Sequence, residues 1–237
     1  MKNTIAQEHA GSRTGGLFLR LSQEQQRKLF DAFLEFAQPN SGYTMLDVGL
    51  ASSTRLMAQG YFSKWAEPPL RSRIGVHNIH PFTGIDGSGH ALAQAEELPT
   101  AKLPFSDGEF DWVCCSGVIE HAGNPGQQFQ VVRELARVAH KGVFLATPNR
   151  RHPVDFHSAL PFVHWLPDAW RRRVLNWSGK NADSLEPRPN LLLAESLYRF
   201  AGMLPEKLEY EVGHKRVFGL KAHFFLMLSK NPATAGS

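Results

Sequence analysis

Residues able to do chemistry gather at a few places along the chain. Glu120 and His121 stand side by side after an apolar run, and His152, His157 and His164 follow in a stretch rich in Pro, Trp and Arg. Histidine titrates near neutrality, so any of these rings could take a proton from a reacting hydroxyl. His157 is the first candidate, because it follows Asp155-Phe156 and precedes the apolar Ala159-Leu160-Pro161-Phe162. His121 is the second. Against each stands the plainer role of a hydrogen-bonded structural residue. The histidines make no helix-spaced ligand pair and no cysteine lies near them, so no metal site is expected. Asp107 and Glu109 flank Gly108 and read as turn formers.

The elements that must position these groups can be traced by periodicity. Leu29, Phe30, Phe33, Leu34 and Ala37 recur at helical spacing, with Ser22 and Gln25 at capping-box spacing before them and Pro39 to Gly42 as the stop. Residues 1–18 read as a loose tail. Tyr43 to Gly49 is a first strand. A helix capped by Ser52 or Ser53 is expected next, with Leu56, Met57, Tyr61 and Trp65 as its stripe and Pro68-Pro69 as its end. Arg73 to Ile79 is a second strand, and a third is expected near Ala91–Glu97.

Phe110 to Cys115 is a fourth strand. Asn124 caps a helix with Pro125 at its first position, and Gly142 is its expected stop. Val143-Phe144-Leu145-Ala146 is a fully apolar strand of the kind buried in parallel sheets. The chain then changes character: Leu208, Tyr210 and Val212 alternate with Glu209 and Glu211, and Ala222–Leu228 is nearly unbroken apolar. No helix fits between them, so this pair is expected to be antiparallel. The whole predicts an α/β fold with a mostly parallel sheet, an antiparallel C-terminal hairpin and helices on both faces. Residues 19–237 read as a single domain carrying an insertion at about 150–190 that serves as lid or substrate wall.

Composition agrees. The 237 residues are 42% hydrophobic and 20% charged, enough for a sizeable soluble core. The net charge of +4 and pI of about 9.2 are mildly basic. The excess is local, at Arg150-Arg151 and Arg171-Arg172-Arg173; the run of three is expected to be a solvated helix face, and no nucleic-acid motif accompanies it. Cys114 and Cys115 are adjacent on a strand and point to opposite faces, so no disulfide joins them. A reducing, cytoplasmic setting is expected. Residues 1–16 hold no apolar signal-peptide core, and no stretch is long enough to span a bilayer.

Four stretches together resemble the class I S-adenosylmethionine (SAM)-dependent methyltransferases, in particular the small ubiquinone-biosynthesis-like group. They are Met45-Leu46-Asp47-Val48-Gly49, Leu103-Pro104-Phe105-Ser106-Asp107-Gly108-Glu109-Phe110-Asp111, Ser116-Gly117-Val118-Ile119-Glu120-His121, and Gly142 to Asn149 with Thr147-Pro148. The resemblance covers about residues 43–150 and 205–230. It implies a Rossmann-like methyltransferase sheet, SAM as cofactor, and methyl transfer to a small-molecule or lipid-linked acceptor. Ligands of such sheets bind outside the carboxyl ends of the strands, at the switch point. Asp47, Gly49 and Leu50 on one side and Ser116 and Gly117 on the other should flank that crevice.

The chain departs from the family pattern at the loop. Gly49 is followed by Leu50-Ala51-Ser52 where the family has a second glycine. The family's ribose-binding acid at the second strand falls near Asn78 or His80, neither acidic; Asp86 is a substitute or simply a turn former. The adenine-side position falls on Glu97 or Gln94. The resemblance gives the Glu120-His121 pair a structural role at the strand exit. It also opens the substrate pocket near the insertion, whose Phe162, Trp165, Trp170 and Trp177 suit an acceptor with an apolar part, or a membrane-surface contact. Two other readings stand beside the enzyme: a methyltransferase-like binding or assembly module that has lost catalysis, and a nicotinamide enzyme, which lacks its three spaced glycines.

Overall fold

The computed structural model describes residues 13–39, 42–50, 62–79, 102–180, 182, 188–205 and 208–230. The elements are α1 (Arg13–Ala37), β1 (Met45–Leu50), α2 (Pro68–Arg71), β2 (Ile74–Ile79), β3 (Phe110–Ser116), α3 (Pro125–Val138) and β4 (Ala139–Pro148). After these come α4 (Asp168–Trp177), α5 (Ala194–Gly202), β5 (Glu209–Val217) and β6 (Leu220–Ser229). The described strands form one sheet in the order β2-β1-β3-β4-β6-β5. Pairs β1–β2, β1–β3 and β3–β4 are parallel, whereas β4–β6 and β5–β6 are antiparallel. This is the mostly parallel α/β sheet with an antiparallel C-terminal pair that the strand patterns predict, in the Rossmann-like arrangement that the resemblance implies.

Strand alternation sorts side chains into two cores. Val113 and Cys115 of β3, Val143 and Leu145 of β4, and Leu226 and Leu228 of β6 pack with α3 and α5. Trp112 and Cys114, Phe144 and Ala146, and Phe225 and Met227 face the other way, against Leu29, Phe30 and Phe33 of α1. Phe33, Phe62 and Phe144 are fully buried and meet in one stacked and two edge-on ring contacts. Each such ring contributes roughly 1.5–3 kcal/mol by burial alone. Runs that are apolar on both faces are stable as strands only when helices cover both, and these helices do. Both cysteines are free and buried at the centre of the sheet.

Local chemistry sets several element ends. The Asn124 side chain accepts from the Gln127 N–H at 3.0 Å, and the Gln127 side chain accepts from the Asn124 N–H at 2.8 Å. This reciprocal cap, with Pro125 in the first turn, starts α3 as expected.

Other expectations are corrected. The first helix does not begin at Ser22; it begins at Arg13, so residues 13–18 belong to α1 and not to a tail. Helix formers on both sides of Ser22 outweigh one capping-box match. Pro68 and Pro69 do not end a helix but open the short α2, where proline's missing N–H costs nothing. Trp65 lies in a single 3-10 turn. Gly142 does not stop α3, which ends at Val138; it lies inside β4. A Cβ there would sit 2.2 Å from the Leu228 carbonyl oxygen and 2.4 Å from the Trp112 ring. Glycine is thus demanded by close strand packing, not by a helix end. The run of three arginines is not one solvated face, because Arg171 is buried while Arg172 and Arg173 are exposed. The expected helix after Ser52 and the expected strand at Ala91–Glu97 lie outside the described residues.

Among the described residues, no helix is long and apolar enough to cross a membrane.

Candidate functional site

The strand order reverses direction between β1 and β3, with β2 beyond one and β4 beyond the other. Here the pairing of β1 with β3 ends at Val48–Cys115, and it is outside the carboxyl ends of strands at such a switch point that open α/β sheets form a binding crevice. Gly49 and Leu50 form the β1 side, paired with Asn78 and Ile79 of β2. Ser116 and Gly117 form the β3 side. Gly117 adopts φ +71°, which favours glycine, and the nearest atom to a Cβ placed there would be Glu120 Oε1 at 4.0 Å. The chain therefore presents bare backbone at the end of β3. Its N–H is tied to the Ala146 carbonyl at 3.2 Å, which fixes the turn to β4.

Asp47 lies inside β1 on the α1 side and is fully buried. Its Oδ2 accepts the Phe62 N–H at 2.7 Å. The carboxylate thus anchors the segment at Phe62 beneath the crevice. His80, Asp86 and Glu97 lie outside the described residues, as does the alternative Gln94.

Beside Gly117 the chain makes a 3-10 turn, Ile119–His121, and this turn carries the densest cluster of ionisable groups. Glu120 is buried, with Oε2 accepting the Thr147 hydroxyl of β4 at 3.1 Å. The loop after β4 folds back over it. His157 Nε2 reaches 3.1 Å from His121 Nε2 and 3.7 Å from Glu120 Oε1. On the far side of the ring, His157 Nδ1 faces Asp155 Oδ1 at 3.4 Å. Asp155 is itself held by the backbone N–H groups of His157 and Ser158, both at 3.1 Å, and by the Ser158 hydroxyl at 2.5 Å. A second strap crosses the turn: the Asn190 N–H donates to the Glu120 carbonyl at 2.7 Å, and the Asn190 amide donates to the Gly123 carbonyl at 2.8 Å.

Burial and neighbouring charge set the protonation of this cluster. Burial, together with the charge of His157, pushes the His121 pKa down to about 3, so that ring is neutral near pH 7. Burial raises the Glu120 carboxyl, although the His157 charge and the Thr147 hydroxyl partly oppose it. Burial also works against a charged His157, yet its hydrogen bond to Asp155 and the charges of Glu120 and Asp155 carry its pKa above the ordinary histidine value. Asp155 lies below the usual carboxylate range: burial would raise it, but the His157 ring and the Ser158 groups outweigh burial.

The structure thus joins His157 and His121, which the sequence offers as separate candidates. It adds Glu120 and Asp155, whose direct part the spacing did not reveal. His152 and His164 go elsewhere. His152 bonds the Val154 backbone, and His164 faces the Arg150 carbonyl at 3.2 Å. In the insertion, Trp165 donates to the Arg150 carbonyl at 2.9 Å and stands beside Phe162. Both rings are about half exposed, and Trp170 and Trp177 of α4 are more so. Asp107 and Glu109 are turn residues as expected: Glu109 accepts the Ser106 N–H at 2.6 Å, and Asp107 pairs with Arg137 at 2.5 Å.

Residues 60–147 match the family model of a methyltransferase domain. No curated protein sequence matches the chain significantly. Among solved structures, the chain resembles a magnesium protoporphyrin IX methyltransferase (ChlM) from Synechocystis PCC 6803 with bound S-adenosylhomocysteine. The TM-score is 0.50 at 13% identity, over 98% of this chain and 90% of that one. It also resembles a possible exported protein from Bordetella parapertussis, with a TM-score of 0.51 at 8% identity over 88% and 68% of the two chains. Identities this low speak for the shared fold.

Proposed function

Because residues 60–147 match a methyltransferase-domain model, we propose that the chain is a class I SAM-dependent enzyme that transfers a methyl group to a small-molecule or lipid-linked acceptor. The observation that carries this reading is the crevice between β1 and β3, with bare Gly117 backbone on its wall and the Glu120–His121–His157 cluster next to it. The likeness to a methyltransferase holding S-adenosylhomocysteine supports the same cofactor here.

The residues present fit such a ligand. Gly49, Leu50, Ser116 and Gly117 would line it, and Asp47 holds the wall they stand on through Phe62. His80, Asp86 and Glu97 are proposed toward the ribose and adenine ends from their sequence positions. When bound, SAM supplies an electrophilic methyl group. The chain's own work is then to hold an acceptor in line, where proximity contributes most of the acceleration. In its neutral form His157 is the group placed to take an acceptor proton at Nε2, since Asp155 fixes its ring from the Nδ1 side. His121 acts on His157 as a positioning residue. The exposed Phe162, Trp165 and Trp170 favour an acceptor with an apolar part.

The test is titration calorimetry with S-adenosylhomocysteine, then a screen of hydroxyl- and amine-bearing acceptors with SAM. Micromolar binding and turnover on an apolar acceptor are expected. A protein that binds neither SAM nor S-adenosylhomocysteine at millimolar concentration would turn the reading to a binding or assembly module. The altered Gly49-Leu50-Ala51 loop is the feature that favours that second reading.

A further inference from the structure

The geometry points to a binding site for a divalent first-row transition-metal ion at Glu120, His121 and His157. One ligand atom from each of the three lies within 4.8 Å of the others. A tetrahedral ion with ligand bonds of about 2.0–2.1 Å sets its ligand atoms roughly 3.3 Å apart. The observed His121 Nε2 to His157 Nε2 and His157 Nε2 to Glu120 Oε1 separations are 3.1 and 3.7 Å, on either side of that spacing.

A second, independent observation concerns Glu120 itself. The residue is 1% exposed, and its Oε1 has no hydrogen-bond partner, whereas Oε2 takes the Thr147 hydroxyl. A buried carboxylate oxygen left without a donor is costly, and such an oxygen is a ready metal ligand. It faces the two imidazole nitrogens.

The surroundings have the form of a metal centre's outer shell. His157 turns Nε2 inward and Nδ1 toward Asp155, the carboxylate–histidine pairing that fixes a ligating ring. Thr147 and the Asn190 strap fix Glu120 in the same way. Glu120 and Asp155 bring two negative charges, and the charge of Arg171, felt at His157, offsets one of them. Two imidazoles with one carboxylate suit Zn²⁺, Co²⁺, Ni²⁺, Fe²⁺ or Mn²⁺ better than Mg²⁺ or Ca²⁺, which prefer all-oxygen sets. Three protein ligands leave a position open to water or to an acceptor oxygen. An ion there and a proton taken up at His157 Nε2 compete for the same lone pair. The site stands on its own geometry and needs no methyl transfer.

The test uses the full chain, stripped with a chelator. Co²⁺ is added while its visible ligand-field bands are followed, and Zn²⁺ is titrated by calorimetry, with Mg²⁺ as comparison. One ion per chain at micromolar affinity is expected, with Mg²⁺ at least tenfold weaker. His157→Ala and His121→Ala should abolish the cobalt bands. Asp155→Asn should weaken binding by about 10- to 100-fold, and His164→Ala should change nothing. Circular dichroism checks that each variant is folded. If Glu120→Gln does not fold, the two histidine variants decide alone. Absence of Co²⁺ and Zn²⁺ binding, or binding unchanged in a folded His121→Ala/His157→Ala double variant, would overturn the assignment.

Discussion

The Asp47 carboxylate accepts the backbone N–H of Phe62 at 2.7 Å, joining the buried middle of β1 to the chain fifteen residues on. The acid at this position is thus a structural anchor. Asp47→Ala removes this acceptor from the buried Phe62 N–H, and a stability loss of about 1–3 kcal/mol is expected. Asp47→Asn keeps an acceptor oxygen and should unfold later in urea than Asp47→Ala, while still weakening S-adenosylhomocysteine. Equal midpoints for the two variants would remove the anchoring role.

Gly142 permits the contact between β4, Trp112 and Leu228. The Trp112 ring cannot retreat, because Phe33 and Phe36 meet it edge-on. Gly142→Ala should therefore cost about 2 kcal/mol or more through overpacking. Denaturant titration measures it, and a loss below about half a kilocalorie would contradict the packing described.

Acid should weaken the fold through His223. This ring is buried against Phe156, with centroids 4.5 Å apart, and burial with the charges of His152 and His157 pushes its pKa down to about 3. A depressed histidine pKa means the unfolded chain binds the proton first. The stability is whole above the unfolded value near 6.5 and is lost as pH falls from there toward 3. The slope for one group reaches about 1.4 kcal/mol per pH unit. His223→Gln should flatten that slope between pH 6 and about 4, measured by urea unfolding at each pH. His157, whose pKa is raised, contributes the opposite sign: its share is present at low pH and lost as pH rises through its folded value.

Arg137 holds the approach to β3. Its guanidinium binds Glu134 and Asp107 and donates to the carbonyls of Leu103 and Phe105 at 3.2 and 2.9 Å. Lysine keeps the charge but not the planar fork. Arg137→Lys should accelerate amide exchange across residues 103–109 and leave α5 unchanged. Uniform exchange in the two regions would show that the contacts are dispensable.

The sheet was largely legible because its determinants are local. Apolar runs such as Val143–Ala146, the Asn124–Gln127 cap and the alternating Tyr210–Val212 stretch each carry their own signal. The errors came where a distant partner decides. Gly142 reads as a helix stop until Leu228 and Trp112 are placed beside it. Arg171 reads as one of three solvated arginines until α4 is packed. The Glu120–His121–His157 cluster was hidden for the same reason. His157 is thirty-six residues from His121, and ligand spacing in sequence cannot show a loop that doubles back over a 3-10 turn. The proline pair at 68–69 was ambiguous by nature, since proline both ends and begins helices.

The two thiols at the centre of the sheet have a practical use. Cys114 and Cys115 are the chain's only cysteines, they lie on opposite faces of β3, and burial raises both well above the ordinary thiol range. Alkylating reagents can reach them only when the centre of the sheet opens, so their labelling rate times the opening of the whole protein from both cores at once. Mass spectrometry of the labelled peptide would then tell whether a bound ligand or ion slows that opening, without any engineered probe.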